Sequence, residues 1–158
     1  MNLDLNCMSP TLAIDFGSSP TKIAFLCRET GKPKMVELGH EIRAVMPSVF
    51  YIPPSGPVLV GDEAVQMADE DPAGIVMDIK RELHRPGKIR CGEGRPAYLR
   101  SELVSILFSE IRRRCDEEVF HNDSIDSCIL TVPVCFSEPQ RQKLRHAAEN
   151  AGFTHVRL

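Results

Sequence analysis

The feature that most constrains the fold is a pair of apolar runs separated by a short turn near the start of the chain. Residues 11–16 read TLAIDF and residues 22–27 read KIAFLC, and both runs are apolar enough for strands inside a sheet. The connection contains Gly17 and Pro20, and a short Gly-containing connection of this kind joins antiparallel neighbours. A further strand predicted over KMVEL (34–38) extends the hairpin into a three-stranded meander.

The turn carries residues suited to a phosphate group. It follows an acid, Asp15, and begins with Gly17. The next two residues, Ser18 and Ser19, are also small, so their backbone N–H groups can come close to an anion. Pro20 interrupts this run of donors, because proline has no N–H. The turn is not a P-loop, since it lacks the second glycine of that motif and leads into a strand rather than a helix.

The middle of the chain predicts short elements separated by turns. Strands are expected over PSVFYI (47–52) and VLVG (58–61), on either side of a proline-rich turn. Short helices are expected over 62–71, where Pro72 ends the first, and over 76–83. Residues 85–96 are rich in glycine and proline and predict a loop.

The last third predicts two helices and two strands. Apolar residues recur every four positions between 99 and 115, which is typical of a long amphipathic helix. Its end carries Arg112–Arg114, where positive charge opposes the macrodipole, so a solvated helix end is favoured over contact with nucleic acid. CILTVP (128–133) predicts a buried strand, and FTHVRL (153–158) begins another.

A capping box predicts where the final helix begins. Ser137 would be the cap, with Gln140 three residues later and a proline tolerated in the first turn. Gly152 suits the position just past the helix end. The apolar face would consist of Leu144, Ala147, Ala148 and Ala151.

Charge and cysteine content exclude several classes of protein. The net charge is −3 with both signs interspersed, which argues against a nucleic-acid partner. No apolar stretch approaches the length of a membrane span, and the first residues lack the regions of a signal peptide. The cysteines form no CxxC pair and no metal-ligand spacing, so we expect reduced thiols, several of them buried, in a cytoplasmic protein. They are Cys7, Cys27, Cys91, Cys115, Cys128 and Cys135.

Three blocks of the sequence line up, in order, with a known family. They are AIDFGSSPTKIAFL (13–26), the stretch 46–83 with its PS, VGDEA and DIKR elements, and the stretch 129–158 with TVPVCFSEPQR and AENAG. Together they resemble the beginning of the nucleotide-binding domain of the seventy-kilodalton heat-shock chaperones, in the actin and sugar-kinase ATPase superfamily. Sugar kinases and actin-like filament proteins share the first block, whereas the other two are specific to the chaperones.

The resemblance implies the first lobe of an actin-like ATPase fold, an α/β lobe with a mixed sheet, flanking helices and a small inserted α/β subdomain. Residues 1–10 would be an N-terminal tail and 11–158 a partial nucleotide-binding domain. Within it, 11–45 and 100–158 would form the main subdomain and 46–99 the inserted peripheral subdomain. Because the sequence stops inside a predicted strand, we expect a truncated domain with little or no ATPase activity of its own, since half a cleft leaves water around the phosphates.

The resemblance also implies a cofactor, ATP or ADP with Mg²⁺, bound in a cleft between two lobes. Asp15 matches the acid that helps to hold Mg²⁺ through its water shell, and Ser18 and Ser19 match paired threonines beside the phosphates. Lys80 matches the lysine that reaches the γ-phosphate and helps to place the attacking water. The catalytic candidates are thus Lys80 and Asp15, and the cofactor-binding candidates are Asp15, Gly17, Ser18, Ser19, Pro20 and Lys80.

The residues themselves leave other roles open for these two side chains. Asp15 ends an apolar strand, and an unpaired buried carboxylate there is costly, which favours a metal or phosphate site over an acid that caps its own turn. Lys80, in a short KRE stretch, is by sequence alone a residue on a solvated helix face.

Two further positions and a set of partners follow from the resemblance. Pro133 and Arg141 match a proline and an arginine thought to relay the nucleotide state between domains; from sequence alone they are a strand end and a surface helix residue. The family implies a heat-shock, stress-response chaperone that couples ATP binding and hydrolysis to the handling of unfolded polypeptides, with a co-chaperone and a nucleotide-exchange factor as partners. The alternatives are a degenerate, non-hydrolysing binding module and a sugar-kinase or actin-like relative.

Overall fold

The computed structural model describes residues 10–38, 45–121 and 124–158. Of the N-terminal tail expected over residues 1–10, all but Pro10 lies outside the described residues, as does Cys7. The described chain combines three sheets with helices that pack beside them, and the largest sheet is mixed. The mixed α/β fold expected from the sequence is confirmed.

β1 lies inside the main sheet and sets its mixed character. It runs parallel to β10 on one side and antiparallel to β2 on the other. β11 continues the sheet beside β10, and both β3 and β4 pair with β2, which confirms the predicted meander. The strands of this sheet are β1 (Thr11–Asp15), β2 (Pro20–Leu26), β3 (Pro33–Met35), β4 (Val45–Pro47), β10 (Ser127–Leu130) and β11 (His155–Arg157).

The single strand expected over 47–52 is in fact two strands in two different sheets. β4 ends at Pro47 and pairs with β2, whereas β5 (Phe50–Tyr51) pairs with β6 (Leu59–Val60) and β7 (Ile75–Val76) in a second sheet. Ser48 and Val49 separate the two strands, and Ser48 is the residue that is fixed. Its N–H donates to Ser19 O at 2.5 Å, and its buried hydroxyl is hydrogen-bonded to that of Thr21 at 2.9 Å, so the chain stays fixed to β2 before it crosses over.

The middle segment differs from expectation in three further places. The first short helix, α1 (Asp62–Gln66), is shorter than the expected 62–71 because turns replace it after Gln66. Val76 belongs to a strand, since it pairs with Phe50, and the helix expected over 76–83 is α2 (Ile79–Glu82). The predicted loop contains β8 (Lys88–Ile89), which pairs with β9 (Tyr98–Leu99).

Two long helices follow, α3 (Arg100–Arg114) and α4 (Glu138–Asn150). One π-helical turn, Cys115–Val119, continues α3. The predicted apolar stripe of α3 is buried, except that Leu99 precedes the helix and is exposed. Among the described residues no helix is long and apolar enough to cross a membrane.

The core lies between these helices and one face of the main sheet. Leu12 and Ile14 of β1 are fully buried, whereas their neighbours along the strand are exposed, so only one face of β1 is covered. The ring of Phe16, the residue after β1, packs edge-on against Phe108 of α3 with centroids 5.7 Å apart. This contact fixes the end of β1, where the candidate site begins.

The three arginines at the end of α3 are paired rather than freely solvated. Arg113 bonds Glu110 and Glu117, and Arg114 bonds Glu110 and Glu63. The expectation of a solvated end is wrong for Arg114, whose side chain is only 10% exposed. Its charge is used to fasten α3 to α1.

The predicted start and end of α4 are confirmed. Ser137 N–H donates to Gln140 Oε1 at 2.9 Å, and Gly152 takes a positive φ of 94° just beyond the helix. The predicted apolar face is buried throughout and consists of Leu144, Ala147, Ala148 and Ala151.

The described cysteines are free thiols, as expected. Cys91, Cys115 and Cys128 are buried. Burial raises the pKa of Cys115 and of Cys128 to about 12, so both are protonated and unreactive at neutral pH.

Asp71 makes the fold sensitive to acid. Hydrogen bonds from Arg95 and from Tyr51 hold the pKa of its carboxyl below the ordinary value. The folded pKa therefore lies below the unfolded one, and this contribution to stability is present above about pH 4 and is lost as the pH falls through the folded pKa. We expect Asp71→Asn to lower the urea midpoint at pH 7 and to show a smaller deficit at about pH 2.5. The exposed Asp69→Asn is the control, and an equal deficit at both pH values would contradict the assignment.

Candidate functional site

Asp15, the last residue of β1, lies on the exposed face of the main sheet. Thr131, which follows β10, donates its hydroxyl to Asp15 Oδ1 and its N–H to Ile14 O. The burial expected from the apolar strands is therefore wrong, because Asp15 is on the open side of a strand whose other side is covered. The carboxylate is fixed by one hydrogen bond and has acceptor capacity left for a further ligand.

The turn after Asp15 brings its own backbone very close together. A Cβ atom added to Gly17 would lie 1.9 Å from the carbonyl oxygen of Pro20, a distance that no side chain tolerates. Gly17 is therefore required by this close approach rather than by a positive φ. Ser19 is also fixed, because its carbonyl oxygen accepts a hydrogen bond from Ser48 N–H. Ser18 is partly buried and Ser19 is exposed.

Pro20 occupies the first position of β2, opposite Pro47 of β4. In an antiparallel ladder, hydrogen-bonded pairs alternate with non-hydrogen-bonded pairs. Ser19 and Ser48 form a hydrogen-bonded pair, because Ser48 N–H donates to Ser19 O. The next pair, Pro20 and Pro47, is therefore a non-hydrogen-bonded one. No bond to β4 is lost at either proline. The N–H that Pro20 lacks would point away from β4, into the turn beside Gly17.

The Pro20 geometry predicts the effect of restoring that donor. We expect Pro20→Asn to tighten binding of Mg-ATP about ten- to a hundredfold, because a hydrogen bond to a charged group contributes about 1.5–3 kcal/mol. Isothermal titration of the two proteins measures the difference. Pro47→Asn, which restores a donor on the opposite strand, is the matched control. Equal affinity of Pro20→Asn and the unaltered protein would refute the expectation.

Lys80 lies on α2, the four-residue helix, and reaches the end of β1. Ile79 and Leu83 bury their side chains and fix α2 against the core. The half-buried Lys80 places its Nζ 5.9 Å from the centroid of the Phe16 ring. Phe16 directly follows Asp15, so the structure brings the second and first blocks of the sequence to the same end of the main sheet.

Pro133 and Arg141 meet at one short turn. Phe136 N–H donates to Pro133 O at 3.0 Å, and Arg141 Nε donates to Phe136 O at 3.2 Å. The peptide groups of Phe136 thus connect the end of the β10 segment to the first turn of α4. Val134 in this turn is 96% exposed.

Three polar residues near these candidates escaped the sequence analysis. Thr131 bonds Asp15, Ser48 anchors the turn through Ser19, and Lys143 of α4 donates to the carbonyl of Leu83 at 3.0 Å. Thr131 lies inside the strand predicted over 128–133, but β10 ends at Leu130, so its hydroxyl is available at the strand end. The partners of Ser48 and Lys143 lie 29 and 60 residues away, and no local pattern signals such contacts.

A separate groove of about 740 Å³ lies on the open face of the main sheet. Ala13, Ala24 and Ile129 contribute to its apolar floor, and none of the predicted site residues lines it. Among the described residues no group of three or more metal-binding side chains is present. Asp15 could contribute one carboxylate to Mg²⁺, which commonly takes its other ligands from water and phosphate.

The mixed sheet with its flanking helices has the architecture of one lobe of an actin-like ATPase. The family model described as Hsp70 protein matches residues 88–158, a little under half of the chain. These residues, which run from β8 to the last strand, belong to the Hsp70 family, and the match supports a chaperone ATPase family in general. Pro133 and Arg141 lie within the match, whereas Asp15 and Lys80 precede it.

Proposed function

We propose that the end of β1, the turn 17–20 and Lys80 form the phosphate side of a Mg-ATP site in a chaperone ATPase. The observation that carries the proposal is the convergence of a carboxylate, a tightly closed glycine turn and a lysine at one end of the main sheet. Asp15 is exposed, Gly17 leaves no room for a Cβ atom, and Lys80 lies over the ring of the next residue, Phe16.

Each group has a distinct task in this proposal. Asp15 binds water molecules of the Mg²⁺ shell, because Mg²⁺ gives up its water reluctantly and prefers carboxylate and phosphate oxygens. Gly17, Ser18 and Ser19 direct N–H groups and hydroxyls towards the phosphate oxygens. Lys80 supplies a fixed positive charge beside the γ-phosphate, where negative charge spreads over the oxygens in the transition state. Mg²⁺, when bound, would neutralise part of that charge.

The Hsp70 match supports a further step, the coupling of nucleotide to client handling. We propose that the whole protein couples ATP binding and hydrolysis to the handling of unfolded polypeptides in the cytoplasm, with a co-chaperone and a nucleotide-exchange factor. The turn that joins Pro133 to Arg141 through Phe136 is the element proposed to relay the nucleotide state. It lies in the matched part of the chain, next to the exposed Val134.

A second candidate function rests on Pro20. Because this proline removes a donor aimed into the turn, the protein could bind its partners through its surface without hydrolysing ATP. ATP hydrolysis by the natural full-length protein, without any sugar present, separates the two functions. The proposal predicts turnover that unfolded polypeptide stimulates and that Lys80→Met abolishes. Absent turnover would favour the binding module, whereas turnover that Lys80→Met leaves unchanged would contradict the role proposed for Lys80.

A further inference from the structure

The interactions within α2 are too few to hold this helix in its position. It is one turn of four residues, and its N-cap residue, Asp78, has a left-handed φ of 57° and makes no side-chain capping bond. A helix this short is not stable alone, so its place depends on contacts with other elements. This matters because α2 carries Lys80, one of the two charged groups of the proposed site.

Two contacts fix the last residues of α2 from outside. Glu82 accepts hydrogen bonds from Arg100 of α3, at 3.0 Å from Nη2 and 3.3 Å from Nε. The carbonyl oxygen of the following residue, Leu83, accepts a hydrogen bond from the ammonium group of Lys143 on α4, at 3.0 Å. Carbonyls at a helix end have no partner within the helix and carry partial negative charge, so a cation there is favourable.

The Lys143 contact links α2 to the element that carries Arg141. Lys143 lies two residues after Arg141, whose guanidinium bonds the carbonyl of Phe136. The first half of α4 therefore contacts the Pro133 turn at one point and the end of the Lys80 helix at another. Lys80 is three residues before Leu83, less than one helical turn from the bonded carbonyl.

We infer that Lys143 is a positioning residue, which holds α2 through the Leu83 carbonyl so that Lys80 stays at the end of β1. In a longer helix, an N–H of the next turn would be the hydrogen-bond partner of that carbonyl. Here the ammonium group of Lys143 is the partner instead. The part of the inference that concerns phosphate rests on the proposed function, whereas the part that concerns the position of α2 does not. Lys143 itself touches no proposed ligand and acts through Lys80.

The test compares Lys143→Met, Lys143→Arg and the control Lys34→Met in the whole chain. Methionine keeps the length of the stem without the donor, arginine restores a donor, and Lys34 is exposed on β3 at the far edge of the main sheet. The first readout is amide hydrogen exchange over α2, α3 and α4 without nucleotide. We expect exchange at 79–84 to become about tenfold faster in Lys143→Met, with α3 and α4 little changed, and Lys143→Arg to restore most of the protection.

The second readout is the Kd for Mg-ATP. We expect it to rise about tenfold in Lys143→Met and to stay unchanged in Lys34→Met. Unchanged exchange over α2, or an equal rise across all three helices, would overturn the positioning role. Faster exchange over α2 without any change in Kd would overturn its link to Lys80. If the unaltered chain binds no Mg-ATP, the proposed function fails, and the exchange data still decide whether Lys143 positions α2.

Discussion

Gly17→Ala is expected to abolish detectable Mg-ATP binding and to lower the free energy of unfolding by about 1–3 kcal/mol, the usual cost of overpacking. The added Cβ would meet the Pro20 carbonyl oxygen at 1.9 Å and its carbonyl carbon at 3.0 Å. Both atoms belong to the backbone, so the turn must open to relieve the clash. Opening it moves the N–H groups of Ser18 and Ser19 away from their present positions.

Gly56→Ala is the matched control for this prediction. Gly56 has a positive φ of 97° and open space around its Cβ direction, so alanine there carries a conformational cost without a clash. Thermal unfolding and isothermal titration of both variants separate the two effects. We expect Gly56→Ala to lose some stability and to keep its Mg-ATP affinity. Normal affinity in Gly17→Ala would show that the closed turn is not needed for binding.

Asp15→Asn is expected to weaken Mg-ATP binding about ten- to a hundredfold and to remove most of its dependence on Mg²⁺. Asparagine has nearly the same shape and can still accept the hydroxyl of Thr131, so the fold should change little. What it loses is the negative charge that the water shell of Mg²⁺ requires. Titrations with and without Mg²⁺ measure both effects.

Thr131→Val tests the role of Asp15 without changing the charge of its carboxylate. Valine removes the hydroxyl that orients Asp15 and leaves the charge, so we expect a smaller loss of affinity with the Mg²⁺ dependence preserved. A remote acid, Asp62→Asn on α1, should have no effect. If Asp15→Asn retained full Mg²⁺ dependence, the cation would have to be bound elsewhere.

Local patterns predicted the elements that each rest on one continuous stretch of sequence. The apolar runs of β1 and β2, the stripe on α3 and the capping box at Ser137 all act within a few residues, and all are confirmed. The predictions for short segments were wrong where a partner distant in the sequence decides the secondary structure. Val76 is a strand residue because Phe50 is available to pair with it, and PSVFYI divides at Ser48 because Ser19 and Thr21 bind that residue.

The candidate site shows the same limit. The composition of the turn at 17–20 was enough to predict that the turn suits a phosphate group. The exposure of Asp15 could not be predicted in this way, because it depends on which face of β1 the helices cover. The proximity of Lys80 to Phe16 joins residues far apart in the chain, and no local pattern signals it. Only the family resemblance indicated Lys80 as a site residue. The roles assigned to Asp15, the turn, Lys80, Pro133 and Arg141 stay predictions, as does the division into a main subdomain and an inserted one.

The most direct test of the proposed site is an NMR titration of the ¹⁵N-labelled chain with Mg-ATP, which detects weak as well as tight binding. The account predicts shifts of the amide signals of Gly17, Ser18 and Ser19, together with signals of α2 around Lys80. In Asp15→Asn and Lys80→Met these shifts should require a concentration of Mg-ATP at least about tenfold higher. Shifts confined to the open groove around Ile129 and Val156, or no shifts at all, would contradict the assignment of a phosphate site to the end of β1.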